Sequence, residues 1–147
     1  MSNPSHGKDL RKGRVSQAGQ IYLVTTVTQG RCPVFARLDA ARVLINVMRQ
    51  ASDSGRAQTL AFVVMPDHLH WLLVLGEGAV LSAVVQAMKS VSAHRLGHKV
   101  WQRGFYDRAI RRDEDLLAVA RYVVANPVRA GLVARVGDYA YWDAVWV

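Results

Sequence analysis

Apolar positions along the chain fall into blocks whose period switches between two and 3.6 residues. "IYLVTTVT" at 21–28 is β-branched and aromatic and predicts a strand, while "LDAARVLINVMRQAS" at 38–52 sets Leu44, Ile45 and Met48 at helical spacing. "QTLAFVVMP" and "HLHWLLVL" are apolar runs joined through Pro66 and Asp67, which predicts a tight antiparallel hairpin. "AVLSAVVQAMKSVSAHRL" at 79–96 gathers Leu81, Val84, Val85, Met88 and Ser92 on one stripe and turns Gln86, Lys89, Ser90 and His94 away from it, as an amphipathic helix does. "VWQRGFYDRAIR" at 100–111 reads as a strand, and "DEDLLAVARYVVANPVRAGLV" at 113–133 opens on an acidic turn suited to a helix start. The order β-α-β-β-α-β-α predicts an α+β, ferredoxin-like split β-α-β fold: an antiparallel sheet with helices on one face and an added C-terminal helix. With 147 residues, the chain is expected to be a single domain over 1–147, with residues 1–15 a polar, flexible leader.

One strand breaks its own apolar pattern. In "HLHWLLVL" residues two apart share a face, so His68 and His70 present their rings side by side while Leu69, Trp71 and Leu73 point the other way. Two adjacent imidazoles repel when both are protonated, and a divalent metal is the usual reason to hold them neutral together. The competing reading is a pair of histidines that only hydrogen-bond at a strand end. His94 and His98, four apart, form a second candidate pair, but Gly97 lies between them on the polar side of the helix end, as at a solvated terminus.

The last helix breaks its pattern too. Leu116, Leu117, Ala120, Val123 and Val124 form one stripe, and at about 100° per residue Tyr122 projects roughly 160° from its centre. Asn126 lies four residues on, nearly on the tyrosine's face, and Arg129 follows if the helix continues past Pro127. Proline disfavours α conformation at Asn126, so a kink or a helix end competes with a straight run there. Tyr122 is either a functional phenol or an aromatic packed on a neighbouring element. Tyr22, Tyr106, Tyr139 and Tyr141 have no amide at helical spacing beyond them.

Charge then narrows the partner. Lys and Arg number 19 against 11 Asp and Glu, a formal charge of +8, which favours a polyanion and nucleic acid over membrane. No apolar run reaches the roughly 18 residues of a membrane span, so a cytoplasmic protein is expected. A single cysteine, Cys32, excludes an internal disulfide and a cysteine-based zinc knuckle, leaving His, carboxylate or amide ligands for any metal. Arg11, Lys12, Arg14, Arg103, Arg108, Arg111 and Arg112 are candidate phosphate contacts, with Arg129 beside the tyrosine, and Trp101, Phe105 and Tyr106 are candidate stacking partners for bases.

"MPDHLHWLL", "WQRGFYDRAIR" and "ARYVVANPVRAGLV", in this order and spacing, resemble the REP-associated tyrosine transposases, within the single-tyrosine HUH transposases of bacterial insertion sequences. The resemblance implies that His68 and His70 bind Mg²⁺ or Mn²⁺, that Asn126 is the third ligand, and that Tyr122 is the nucleophile. It implies a nucleoid-associated bacterial enzyme that cuts single-stranded DNA beside a hairpin, a REP-like palindrome, as a monomer or homodimer. The cut would leave a 5′-phosphotyrosine and a free 3′-OH, so strand transfer needs no ATP. The family's leader often reads Gly-Arg-Ser, whereas here Val15 follows Gly13 and Arg14.

Two other readings keep the same residues. In a metal-dependent hydrolytic nuclease, water attacks and no covalent intermediate forms. A non-catalytic regulator would bind structured nucleic acid through the basic surface alone.

Overall fold

A computed structural model of the chain describes residues 19–111 and 115–144. The expected leader, with Arg11, Lys12 and Arg14, lies outside the described residues, and so does Arg112. Strand β1 (Ile21–Val27) leads through two short 3₁₀ turns to α1 (Leu38–Asp53), followed by β2 (Ala57–Met65) and β3 (His68–Leu75). Helix α2 (Leu81–Leu96) crosses to β4 (Tyr106–Ala109), and α3 (Leu116–Val124), the single turn α4 (Asn126–Arg129) and β5 (Trp142–Ala144) complete the chain. All strand pairs are antiparallel in the order β4-β1-β3-β2-β5, the split β-α-β sheet with one added edge strand.

Both crossover helices pack on one face. Tyr22, Val24, Leu69, Trp71 and Leu73 meet Leu44 and Met48 of α1 and Val84, Val85 and Met88 of α2 in the main core. Helix α3 covers the opposite face, where Ala120 and Val124 rest on Leu60, Ala61 and Leu72, and Val123 rests on Val63 and Met65. Strand β5 pairs with β2 and adds Ala144 to that layer. Its three residues carry too short a pattern to be read from sequence.

Local chemistry sets the ends. Pro66 and Asp67 alone turn β2 into β3, as the spacing predicts. Gly97 ends α2 in the left-handed region at φ 79°, its amide returning to the Ala93 and His94 carbonyls. Helix α3 starts later than its acidic stretch suggests, because Asp115 is the cap and accepts a bond from the Ala118 amide at 3.1 Å. The 100–111 stretch is strand only over Tyr106–Ala109, although Trp101 forms an isolated bridge with Thr28. Lys89 departs from its expected polar face. It is buried, and its ammonium donates to the carbonyls of Gln102 and Gly104, which satisfies the charge where solvent cannot. No helix among the described residues is long and apolar enough to cross a membrane.

Candidate active site

The site begins at the hairpin turn. His68 opens β3 and pairs with Val27 and Met65, and His70 pairs with Thr25 and Val63, so both rings share the α3 face of the sheet with Leu72. Their centroids are 4.9 Å apart, with planes crossing at 80°. Each Nδ1 already has a partner: Asp67 Oδ1 lies 2.7 Å from His68 Nδ1, and Thr25 Oγ1 lies 2.8 Å from His70 Nδ1. An ionised carboxylate only accepts, so His68 donates from Nδ1 and turns Nε2 away from Asp67. A neutral imidazole that donates from Nδ1 offers its Nε2 lone pair to a divalent ion, and the Thr25 hydroxyl can accept that bond from His70 as the Asp67 carboxylate does from His68.

Electrostatics reinforce that state. Burial, helped by the charges of His68 and Arg129, holds the His70 imidazole down to about 4, so it is neutral at neutral pH. Burial pushes the Asp67 carboxyl up, but hydrogen bonds from His68 and Arg31 outweigh it and hold the group below the usual carboxylate range. Arg31 reaches Asp67 Oδ2 at 3.1 Å from a left-handed backbone, φ 56°, uncommon for a non-glycine residue.

The tyrosine comes from the helix above. With Ala120, Val123 and Val124 buried against the sheet, Tyr122 is left 60% exposed on the far side of α3. The chain does not run straight through Pro127: α3 ends at Val124, Ala125 caps it, and Asn126–Arg129 make a separate turn. That break brings the Arg129 guanidinium 3.8 Å from the centroid of the Tyr122 ring. Its positive charge also disfavours protonation of His70. Asn126 opens the same turn, half-buried, and α4 packs against β2, the strand that pairs with both histidines. Among the described residues no group of three or more His, Cys, Asp or Glu is placed to hold an ion. The histidine pair therefore needs an amide, water or phosphate oxygen to complete a coordination sphere.

The remaining candidates separate. Arg108 pairs with Leu23 on β4 and shares the histidine face, and exposed Arg111 follows just beyond that strand. Arg103 sits on the turn before β4, exposed, on the α2 side. Trp101 and Phe105 are buried, and the Trp101 indole donates to Ser92 while its ring packs on Phe35, so neither is available to stack on a base. Tyr106, half-buried beside Thr25, keeps that possibility. His94 and His98 are exposed at the end of α2 and just beyond it, away from the other histidines. Sequence reading treated Asp67 as a turn residue only and missed Thr25 and Arg31. A carboxylate directly before the first histidine was a usable signal for Asp67, whereas Thr25 depends on strand register.

Comparison with known proteins adds a family to this geometry. The family model for IS200-like transposases matches residues 16–126. The REP-associated tyrosine transposase of Escherichia coli is 35% identical over 83 residues, 55% of this chain and 50% of the relative. A Haemophilus influenzae protein assigned the same name is 27% identical over 139 residues, 84% of this chain and 78% of its own. A solved REP-associated tyrosine transposase bound to a REP hairpin superposes with a TM-score of 0.77 at 26% identity, covering 88% of this chain and 79% of that one. Matched by the family model across most of its length, and by relatives of the same kind in sequence and in fold, this chain belongs to the IS200-like transposase family, whose enzymes cut and rejoin DNA.

Proposed function

We propose that this chain is a metal-dependent endonuclease and strand transferase for single-stranded DNA, acting beside a REP-like hairpin through a covalent 5′-phosphotyrosine at Tyr122. The observation that carries the reading is the histidine pair, whose rings lie 4.9 Å apart on the α3 face of the sheet with both Nδ1 atoms partnered, under the helix that carries Tyr122 with Arg129 over its ring. The solved relative held on a REP hairpin supports the choice of DNA.

The donor set fits a hard divalent ion. The imidazoles of His68 and His70, with occupied Nδ1 atoms, and the Asn126 amide would hold Mg²⁺ or Mn²⁺ loosely, with water and phosphate oxygen completing the shell. When bound, the ion supplies Lewis-acid neutralisation of charge on the scissile phosphate. The protein supplies the rest. Asp67 and Thr25 fix the imidazole orientations, and the Tyr122 oxygen, exposed to a strand lying along α3, attacks phosphorus in line. The phenol loses its proton as the O–P bond forms, and Arg129 stabilises the resulting negative charge. The P–O3′ bond breaks, the departing oxygen takes up a proton as a free 3′-OH, and the phosphate remains on tyrosine. A second 3′-OH reverses the exchange and rejoins DNA without ATP. Arg108, Arg111 and Arg129 are the described cations that would meet phosphates around this face.

The test is incubation of purified protein with labelled hairpin DNA and Mg²⁺ or Mn²⁺, resolved on a denaturing protein gel beside Tyr122→Phe. A labelled protein band carrying the DNA 3′ of the cut, absent from the variant, is expected. Cleavage with no such band would indicate hydrolysis by water, and binding with no cleavage on a panel of hairpins would indicate a regulator.

A further inference from the structure

The hairpin turn that carries Asp67 is braced by the segment that follows β1. The Thr28 amide and hydroxyl both donate to the Asp67 carbonyl, at 2.9 and 3.1 Å, and the Phe35 amide donates to the Pro66 carbonyl at 2.9 Å. These bonds fix the backbone of the turn and leave the Asp67 side chain free to rotate. Arg31 supplies the missing restraint. Its guanidinium donates to Asp67 Oδ2 at 3.1 Å while Oδ1 accepts from His68 Nδ1 at 2.7 Å, so both oxygens of the carboxylate are committed.

The backbone at Arg31 is unusual for the residue it holds. The Cys32 amide returns to the Gln29 carbonyl at 3.2 Å around Gly30 and Arg31, whose φ angles are 62° and 56°. A turn with positive φ at both central residues suits Gly, Asn and Asp. Gly30 fits it. A long side chain at the second position costs energy that glycine would not, so the turn by itself disfavours arginine there. The Arg31 side chain is 63% exposed, and an exposed ion pair offsets little of that cost through stability alone.

The two histidines differ in how much support their partners need. His70 lies within β3, and Thr25, which bonds its Nδ1, is buried on the neighbouring strand, where register holds it. His68 opens β3, and its partner is a carboxylate on a turn, with a side chain 28% exposed to competing water. Without a second anchor that carboxylate can turn toward solvent and release the imidazole, whose ring then rotates or changes tautomer.

We propose that Arg31 is a positioning residue, which clamps Asp67 so that His68 keeps donating from Nδ1 and presents Nε2 to the ion. The proposal rests on the metal site argued above and names the residue that sets one of its ligands. It carries a sign of its own. Coulomb repulsion alone makes a guanidinium near the histidines unfavourable for a divalent cation, so its removal would tighten metal binding, whereas loss of a clamp weakens it.

The experiment compares wild type with Arg31→Gly, Arg31→Lys, Asp67→Asn and the Arg31→Gly/Asp67→Asn double variant, each checked for folding by thermal melting. Glycine suits the turn, so Arg31→Gly should melt no lower than wild type. In metal-free protein at about pH 8, long-range nitrogen–proton NMR should show His68 of Arg31→Gly losing its single Nδ1-protonated form while His70 keeps its wild-type pattern. Mn²⁺ affinity, read from the free-ion EPR signal, should fall roughly tenfold in Arg31→Gly and less in Arg31→Lys, which keeps a charged donor. In the double variant the arginine change should add less than about twofold to the loss from Asp67→Asn, because a clamp acts only through the carboxylate it holds. Unchanged or tighter Mn²⁺ binding in Arg31→Gly, an unaltered His68 tautomer, or additive losses in the double variant would each overturn the clamp. If wild type binds no Mn²⁺, the proposed function falls and the His68 spectrum alone decides the clamp. If wild type binds Mn²⁺ and forms the Tyr122 adduct while Arg31→Gly matches it in every reading, the function stands without Arg31.

Discussion

The Arg129 guanidinium packs face-on against the Tyr122 ring, 3.8 Å from its centroid, across the break that Pro127 puts after α3. A cation over a phenol is favourable in the ground state and more so as the oxygen gains negative charge, so in the proposed mechanism the contact would stabilise attack more than rest. Arg129→Gln is expected to slow single-turnover adduct formation by roughly 10–100-fold. Arg129→Lys should recover part of that rate, because lysine keeps the charge but loses the planar stack. The same Arg129→Gln change removes one of the charges that hold the His70 imidazole down, so the His70 ring titration followed by NMR should move upward. An unchanged adduct rate would detach Arg129 from the chemistry.

His70 gives the fold a pH dependence of known sign. Its ordinary value is 6.5 and burial brings it to about 4, so the unfolded chain binds the extra proton between those values. Its contribution is therefore fully present above about 6.5, is lost as pH falls toward 4, and is flat below. The full gap corresponds to roughly 3 kcal/mol at most. In metal-free buffer, urea unfolding between pH 7 and pH 4 should show a fall in stability that is smaller in His70→Gln. Equal slopes in the two proteins would remove His70 as the source.

The helix-side core and the exposed tyrosine were legible because both rest on periodicity, which one chain displays by itself. Trp71 and Leu73 alternate with His70, and Tyr122 opposes Val123 and Val124, in sequence as in structure. Lys89 was misread for the same reason: a helical wheel marks it polar, and only the 102–104 segment, distant in sequence, supplies the carbonyls that bury it. Thr25 was invisible on similar grounds. Nothing local states that residue 25 lies opposite residue 70, since strand register emerges from tertiary pairing.

That register has a measurable consequence. Asp67 and Thr25 hold the two Nδ1 atoms, at 2.7 Å and 2.8 Å, and partners of this kind orient metal-binding imidazoles and raise their basicity. Asp67→Asn replaces a pure acceptor with a group that can turn a donor toward His68 and release the fixed tautomer. Mn²⁺ affinity, followed by loss of the free-ion EPR signal, should fall roughly 10–100-fold in Asp67→Asn, with a comparable or smaller loss in Thr25→Val. Long-range nitrogen–proton NMR should show the His68 proton leaving Nδ1 in part. Undiminished Mn²⁺ binding in both variants would mean that the histidines need no such orientation.

At the opposite end of β3 a glycine controls stability without touching the chemistry. Gly76 donates to the Arg56 carbonyl at 2.8 Å, closing the β2–β3 ladder against the turn that leaves α1. A Cβ at Gly76 would stand 1.8 Å from the Gly55 carbonyl oxygen and 2.9 Å from that of Arg56, and backbone atoms cannot rotate away as a side chain can. Gly76→Ala must therefore push the 55–56 turn off the strand end, which for forced overpacking costs roughly 1–3 kcal/mol. For a chain of this length that is a drop in Tm of roughly 3–12 °C. Gly137 is the matched control, since a Cβ there meets nothing within 4 Å and its φ is not left-handed, so Gly137→Ala should change stability by less than about 0.5 kcal/mol. The Tyr122 adduct formed by Gly76→Ala well below its melting temperature should match wild type, because His68 and Gly76 lie at opposite ends of the strand. A Gly76→Ala protein that melts with wild type would show that the 55–56 turn is free to move.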